Sequence, residues 1–196
     1  MTTKLKTKSF YQIHPLTKER WVDFENLFGV RGACGGCWCM YQRLPRADFE
    51  SGKGEGNRRA MKKLVAKGTI PGLIAYDGDT PVAWCSVAPR AHFSGLERSR
   101  ILKPVDEQPV WSITCFFVAK SHRRLGLTVH LLRAACAYVK KSGGKIVEGY
   151  PVEPKQENAP DVFVWTGLAT AFKQAGFKEC ARRAETRPIM RCTVGV

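Results

Sequence analysis

At 196 residues, 44% of them hydrophobic, the chain is long enough to bury a real core and reads as one enzyme-sized domain over 1–196, undivided by a linker. Its 32 Lys and Arg outweigh 17 Asp and Glu to give a net charge of +15, dispersed along the chain and read first as a solvated surface. No apolar stretch approaches the ~20 residues of a membrane span, and the basic start 1–8, read as a flexible tail, lacks the apolar segment of a secretion signal. These features predict a cytoplasmic protein with no membrane partner.

Residues 9–15 alternate enough for a first strand. Residues 16–28 follow as an amphipathic helix carrying Trp21, Phe24, Leu27 and Phe28. The cluster Gly52-Lys53-Gly54-Glu55-Gly56 has no strand before it and reads as a flexible polar loop. Residues 57–67 predict a second helix, with Asn57 placed to cap it and Met61, Leu64 and Val65 on its apolar side. Residues 73–76 and 82–87 are strands joined through Asp77-Gly78-Asp79-Thr80, a hairpin signal. Residues 111–118 are a β-rich run expected to be buried. In the helix that follows, Leu131, Leu132, Ala135, Cys136 and Val139 recur at helical spacing until Gly143-Gly144 stops it. Residues 145–150 form a strand, and 151–160 form a polar loop with three prolines. A late helix starts near 166 and ends near Gly176, and 177–181 with 188–192 close the sheet as an antiparallel pair.

Between the 111–118 strand and its helix lies Ala119-Lys120-Ser121-His122-Arg123-Arg124-Leu125-Gly126-Leu127-Thr128. A strand running through a basic, glycine-containing turn into a helix start is a device for holding phosphate. The first helical amides have no intrahelical partner and the helix dipole favours an anion there. Neither a nucleotide phosphate-loop motif nor a dinucleotide fingerprint is present. Val118 followed by Arg123-x-x-Gly126-x-Thr128 resembles the acyl-CoA signature of the GNAT superfamily of N-acetyltransferases, with Thr128 in place of a small last residue. Thr166-x-x-Ala169-x-x-Phe172-x-x-x-Gly176-Phe177 is similar to the late helix of that superfamily. Thr166 stands where Asn often contacts the cofactor, and Phe172 where Tyr often protonates the departing thiolate. The resemblance covers nearly the whole chain. It implies a single α/β (α+β) domain with a mixed, mostly antiparallel sheet flanked by helices on both faces.

The resemblance also implies the chemistry: transfer of an acetyl group from acetyl-CoA to an amine of a small molecule or peptide, directly within a ternary complex. Phe116, Phe117 and Val118 would pair with the pantetheine arm. Arg123, Arg124, Leu125, Gly126, Leu127 and Thr128 would hold the pyrophosphate, and Thr166 would reach the cofactor. The strand position that often carries a base holds Thr114, which is not basic but is able to order a water. Glu148 is the best carboxylate candidate, against the alternative of a surface strand residue. Tyr150 is the candidate to replace the missing phenol, against a core tyrosine. His14, His92, His122 and His130 read as structural. The resemblance admits a homodimer.

Eight cysteines without a signal sequence predict free thiols in a reducing compartment. Cys34-Gly35-Gly36-Cys37-Trp38-Cys39 places three thiols within six residues. Structural zinc wants four ligands and no second cluster follows, so no metal is expected. The run 31–41 looks like a signature of a cysteine-rich bacterial branch of the same superfamily, in which the segment after the first helix commonly borders the acceptor pocket. Cys37, Trp38, Met40 and Tyr41 are therefore expected to line that pocket. Two rival readings stand beside the enzyme: a non-enzymatic CoA- or nucleic-acid-binding protein on the same fold, and a thiol or metal sensor built on Cys34, Cys37 and Cys39. No aromatic-basic module strengthens a nucleic-acid partner.

Overall fold

The computed structural model describes residues 11–155 and 164–195. Strand β1 (Gln12–Pro15) leads to helices α1 (Trp21–Phe28), α2 (Arg46–Ser51) and α3 (Glu55–Ala66). The hairpin β2 (Gly72–Asp77) and β3 (Thr80–Pro89) precedes the short helix α4 (Ser94–Glu97). Strand β4 (Trp111–Val118), helix α5 (Leu127–Lys141) and strand β5 (Ile146–Gly149) form a crossover unit. Helix α6 (Ala169–Gln174) and strands β6 (Lys178–Arg182) and β7 (Pro188–Thr193) complete the fold. The strands make one sheet in the order β1-β2-β3-β4-β5-β7-β6. Only β4 and β5 pair in parallel; every other neighbouring pair is antiparallel. This is the mixed, mostly antiparallel sheet expected.

Alternation along the central strands sends apolar side chains to both faces, so each face needs a helical cover. Leu73, Ala75, Ala83, Cys85 and Val87 pack with Leu131, Leu132, Ala135 and Val139 of α5 and Phe172 of α6. Ile74, Tyr76 and Trp84 pack on the other face with Trp21, Phe24 and Phe28 of α1 and with Met61 and Val65 of α3. The helices therefore flank the sheet on both sides. Among the described residues no helix is long and apolar enough to cross a membrane.

One irregularity in β4 positions the site. Ser86 pairs with Cys115 but Val87 pairs with Ile113, so Thr114 is an extra residue in a β-bulge. A bulge shifts the phase of alternation and ends regular pairing. Ile113 and Phe116, three residues apart, consequently share the α5 face, while Cys115 and Phe117 turn to the α1 face. On the opposite edge β4 pairs with β5 only from Trp111 to Ile113. Beyond that point the two strands part, and the Phe116 amide donates to the Trp165 carbonyl at 2.7 Å.

Several elements depart from expectation. Helix α1 starts at Trp21 rather than 16, because Leu16 continues the extended chain by donating its amide to the Gly72 carbonyl. Asn57 does not cap α3. The helix begins two residues earlier, with Gly54 as its cap at φ +83, and Asn57 is fully buried in the first turn. The glycine cluster is thus a tight joint between α2 and α3, and α2 and α4 were not foreseen. Helix α6 begins at Ala169, not 166. The expected tail 1–8, residues 9 and 10 of the expected first strand, and residues 156–160 of the proline loop lie outside the described residues.

Candidate functional site

A cleft of about 850 Å³ opens where β4 and β5 part. Thr114 to Val118 line one wall, the turn and first residues of α5 close one end, and Trp165, Gly167, Leu168 and Ala171 line the opposite wall. At the closed end Arg123, Arg124, Gly126, Leu127 and Thr128 face the cavity. Arg124 and Gly126 both adopt left-handed backbone, at φ +61 and +76. This geometry turns the chain sharply so that α5 starts at the cleft. No side chain caps α5; the Val129 amide turns back to the Gly126 carbonyl, and the Leu127 and Thr128 amides before it, which a helix start leaves without intrahelical partners, suit an anion. Arg123 folds back on its own strand, donating from Nε to the Val118 carbonyl at 3.0 Å. Leu125 alone of the turn residues expected at the phosphate does not line the cleft; it is 42% exposed.

The other end of the cleft is apolar and sulfur-rich. Tyr41 meets Trp165 and Phe49 edge-on, with ring centres 5.6 and 5.3 Å apart, and Phe28, Phe117 and Ala33 continue the wall. Cys34, Cys37 and Cys39 also line it. The expected acceptor wall is therefore half corrected. Cys37 and Tyr41 face the cavity, but Trp38 and Met40 are core residues, 4% and 2% exposed. Left-handed backbone at Trp38 (φ +43) and Cys39 (φ +59) reverses the chain. The Trp38 indole turns inward to stack on Phe28 and occupies the space where a side chain at Gly32 would sit. Asn57 pins this turn from below, donating to the Gly36 and Phe49 carbonyls at 3.1 and 3.2 Å. Among the described residues no three His, Cys, Asp or Glu are arranged to hold a metal ion.

Behind Cys39 lies a buried polar cluster that sequence reasoning missed. The Trp84 indole N–H donates to Cys39 Sγ at 3.1 Å. Arg43 Nη2 donates to the Pro71 carbonyl at 2.8 Å and to Ser86 Oγ at 3.3 Å, and Thr114 Oγ1 donates to the same Ser86 oxygen at 3.2 Å. The Cys39 thiol is held below the ordinary cysteine value, first by the neighbouring Cys115 thiol and then by the Arg43 charge and the Trp84 and Ser86 groups, against the upward push of burial. Cys115 moves well up, chiefly because it shares that hydrogen bond and is itself buried. Burial also pushes Cys37 up. These partners come from β3, β4 and the loop after the turn, so no spacing in the sequence announces them.

The model of the acetyltransferase (GNAT) family matches residues 38–163. The chain belongs to that family. Solved structures with the same fold include a GNAT-family acetyltransferase from Listeria monocytogenes, 5% identical with TM-score 0.55, covering 93% of this chain and 94% of that one. The PaiA N-acetyltransferase of Thermoplasma acidophilum, in complex with coenzyme A, is 14% identical with TM-score 0.51, at 93% and 98% coverage. The yncA protein of Salmonella typhimurium, solved with its cofactor acetyl-CoA, is 11% identical with TM-score 0.51, at 94% coverage of both chains. No curated protein matches the chain in sequence.

In this GNAT domain two residues expected to move protons stand elsewhere. Glu148 is fully buried and does not line the cleft. Its Oε1 accepts from Arg90 Nη1 at 3.3 Å and from the Tyr150 hydroxyl at 2.6 Å, and its Oε2 accepts from Arg191 Nε at 2.7 Å. Tyr150, 1% exposed, also accepts from Arg90 Nη1 at 2.7 Å and bonds Ser112 Oγ at 2.8 Å. Burial first, then the Glu148 charge, pushes the phenol well up. Both residues thus belong to a packed ion network that ties β5 to β7 and to the chain after β3, not to the cavity. Thr166 is likewise corrected: its hydroxyl accepts from Arg187 Nη1 at 2.9 Å, and its neighbours Trp165 and Gly167 line the cleft instead. Phe172 is fully buried against Phe116, Phe177 and the bare face of Gly149. Thr114 lines the cleft.

Proposed function

We propose that the protein is an N-acetyltransferase that moves the acetyl group of acetyl-CoA to an amine carried on an apolar or aromatic body, by direct attack within a ternary complex. The observation that carries this reading is the continuity of one cleft. It runs from the uncapped start of α5, beside Arg123 and Arg124, along the free edge of β4 to an aromatic acceptor wall. The residues present suit the co-substrate. The α5 amides and the two guanidinium groups favour its pyrophosphate. The Phe116 amide is given to the Trp165 carbonyl across the parted strands, so it polarises a thioester carbonyl only by exchanging that partner for the bound acyl group. When bound, acetyl-CoA supplies the activated acyl carbon. Tyr41, Phe49 and Trp165 then hold the acceptor's carbon body and exclude water from the reacting end.

Acetyl-CoA should raise the melting temperature, because a ligand that binds only the folded state must stabilise it. Gly126→Glu should abolish this shift, at a cost of about 1–2 kcal/mol in stability because Gly126 holds φ +76, and circular dichroism checks that the variant is folded. Nothing lies within 4 Å of a side chain at that position, yet the new carboxylate would sit at the phosphate end. Wild-type binding by that variant would refute the assignment. Coenzyme A release measured over a panel of arylalkyl and aliphatic amines then identifies the acceptor class.

A further inference from the structure

We propose that Cys39, as a thiolate, is the base that takes the proton of the acceptor amine and hands it to the departing sulfur of coenzyme A. The proposal rests on the acetyltransferase reading above.

The first support is the charge of Arg43. Its guanidinium is buried and, among the described residues, is bonded only to the neutral oxygens of Pro71 and Ser86; it lies 4.3 Å over the Phe93 ring, and Nε has no partner. A buried cation without a counter-charge is expensive. The groups able to supply an anion are Cys39 first and then Cys115, whose charges would support that of Arg43, and of the two Cys39 is the one that accepts the Trp84 indole N–H. The second support is what surrounds the sulfur. The Trp84 indole N–H donates to Cys39 Sγ at 3.1 Å, and the Ser86 and Cys115 side chains beside it favour its charged form; a thiolate accepts such a bond far better than a thiol does. The third is backbone strain. Two successive non-glycine residues, Trp38 and Cys39, hold strained left-handed conformations, and the turn they make sets Cys39 on the cleft wall. Strain of this kind collects at functional positions.

Every group packed on the sulfur favours the same assignment of protons. Cys37 from the turn, Cys85 from β3 and Cys115 from β4 are all pushed up and keep theirs. Arg43 keeps its charge, held down only to about 10 by burial. Cys39 is the thiol of this cluster whose surroundings, the Arg43 charge and the Trp84 indole N–H, favour the anion, which is the form a general base needs.

The step balances without a further reactant. The amine nitrogen forms its bond to the thioester carbon while its surplus proton passes to Cys39 Sγ. The carbon–sulfur bond then breaks, its electron pair leaves on the coenzyme A sulfur, and the Cys39 S–H returns the proton there. An amide and free coenzyme A result, and Cys39 is again a thiolate. The same sulfur thereby replaces the phenol that Phe172 cannot supply.

The test begins with the ultraviolet thiolate absorbance of the full chain. The difference between the parent and Cys39→Ser should titrate near neutrality, and iodoacetamide should label Cys39 of the parent with the same midpoint and be blocked by acetyl-CoA. With 2-phenylethylamine as acceptor, Cys39→Ser should lose on the order of 10²–10⁴-fold in kcat and the acid limb of its pH profile, with acetyl-CoA affinity unchanged. A thiolate midpoint at or above the ordinary ~8.5 would overturn the proposal. So would a Cys39→Ser enzyme with parental rate and profile, or an acetyl group found on Cys39 that the amine discharges. The labelling midpoint decides the matter if Cys39→Ser does not fold. Failure of the parent to bind acetyl-CoA would remove the acetyltransferase reading itself, and is read separately by the melting shift.

Discussion

Glu148 shows how a catalytic-looking carboxylate is a structural one in context. Its two oxygens are shared among Arg90, Arg191 and Tyr150, and Arg191 continues to Asp106 through bonds of 2.6 and 3.1 Å. Glu148→Gln leaves Arg90 with Glu97 and Arg191 with Asp106 as their remaining carboxylates but removes the buried charge that joins them, so it should cost about 1–3 kcal/mol of stability, measured by denaturant unfolding. Where the variant still folds, its acetylation rate should keep the parental pH profile; loss of the acid limb would restore Glu148 as the base. Asp106 gives a second test. The Arg191 hydrogen bonds hold its carboxyl down to about 2. A group lowered by folding contributes fully above its unfolded value, ~3.9, and the contribution is lost as pH falls through about 2. Asp106→Asn should therefore be less stable than the parent at neutral pH, and the two denaturant midpoints should converge on acidification through that window.

At the scale of elements, the cysteine-rich turn is held by α3 rather than by its own thiols. Asn57 bridges the Gly36 and Phe49 carbonyls, and a side chain at Gly36 would collide with the Gly54 backbone. Asn57→Ala should cost about 1–3 kcal/mol through the donors it removes from buried carbonyls. It should raise KM for the acceptor more than for acetyl-CoA, since the turn lines only the acceptor end; equal effects on both would refute that division. The β5–α6 contact makes a parallel case. A methyl at Gly149 would approach Phe172 to 2.2 Å, so Gly149→Ala should lose about 1–3 kcal/mol by overpacking, visible as a lowered melting temperature. The hairpin, the crossover helix and the final strand pair are legible in the sequence because alternation, glycine stops and the 3.6 period are local signals. Helices α2 and α4, six and four residues long, carry too few turns to show a period. The capping role read for Asn57 fails because its amide is used for a distant carbonyl, a choice that only packing makes.

For the whole molecule, the surplus of 15 positive charges acts at a distance only where salt leaves it unscreened. Between ~0.1 M and ~1 M salt the screening length falls from ~10 Å to ~3 Å, so acetyl-CoA should bind more weakly at the higher concentration. Pantetheine, which lacks the phosphates, should show little change by calorimetry; equal salt dependence would mean that the α5 turn is not the phosphate site. The sequence by itself determined the order of the strands and of the longer helices, the basic glycine turn at the start of α5 and the family, because each is written in contiguous residues with fixed spacing. Only the tertiary structure decided which side chains reach the cleft. A bulge at Thr114 and two left-handed residues at Trp38 and Cys39 reverse the facing that alternation alone would give. They bury Trp38 and bring Cys39 to Trp84 and Cys115, residues 45 and 76 positions away, beside a guanidinium that no carboxylate among the described residues neutralises. A charge seeking its counter-charge across three elements leaves no local signal, and here that search places the reactive sulfur.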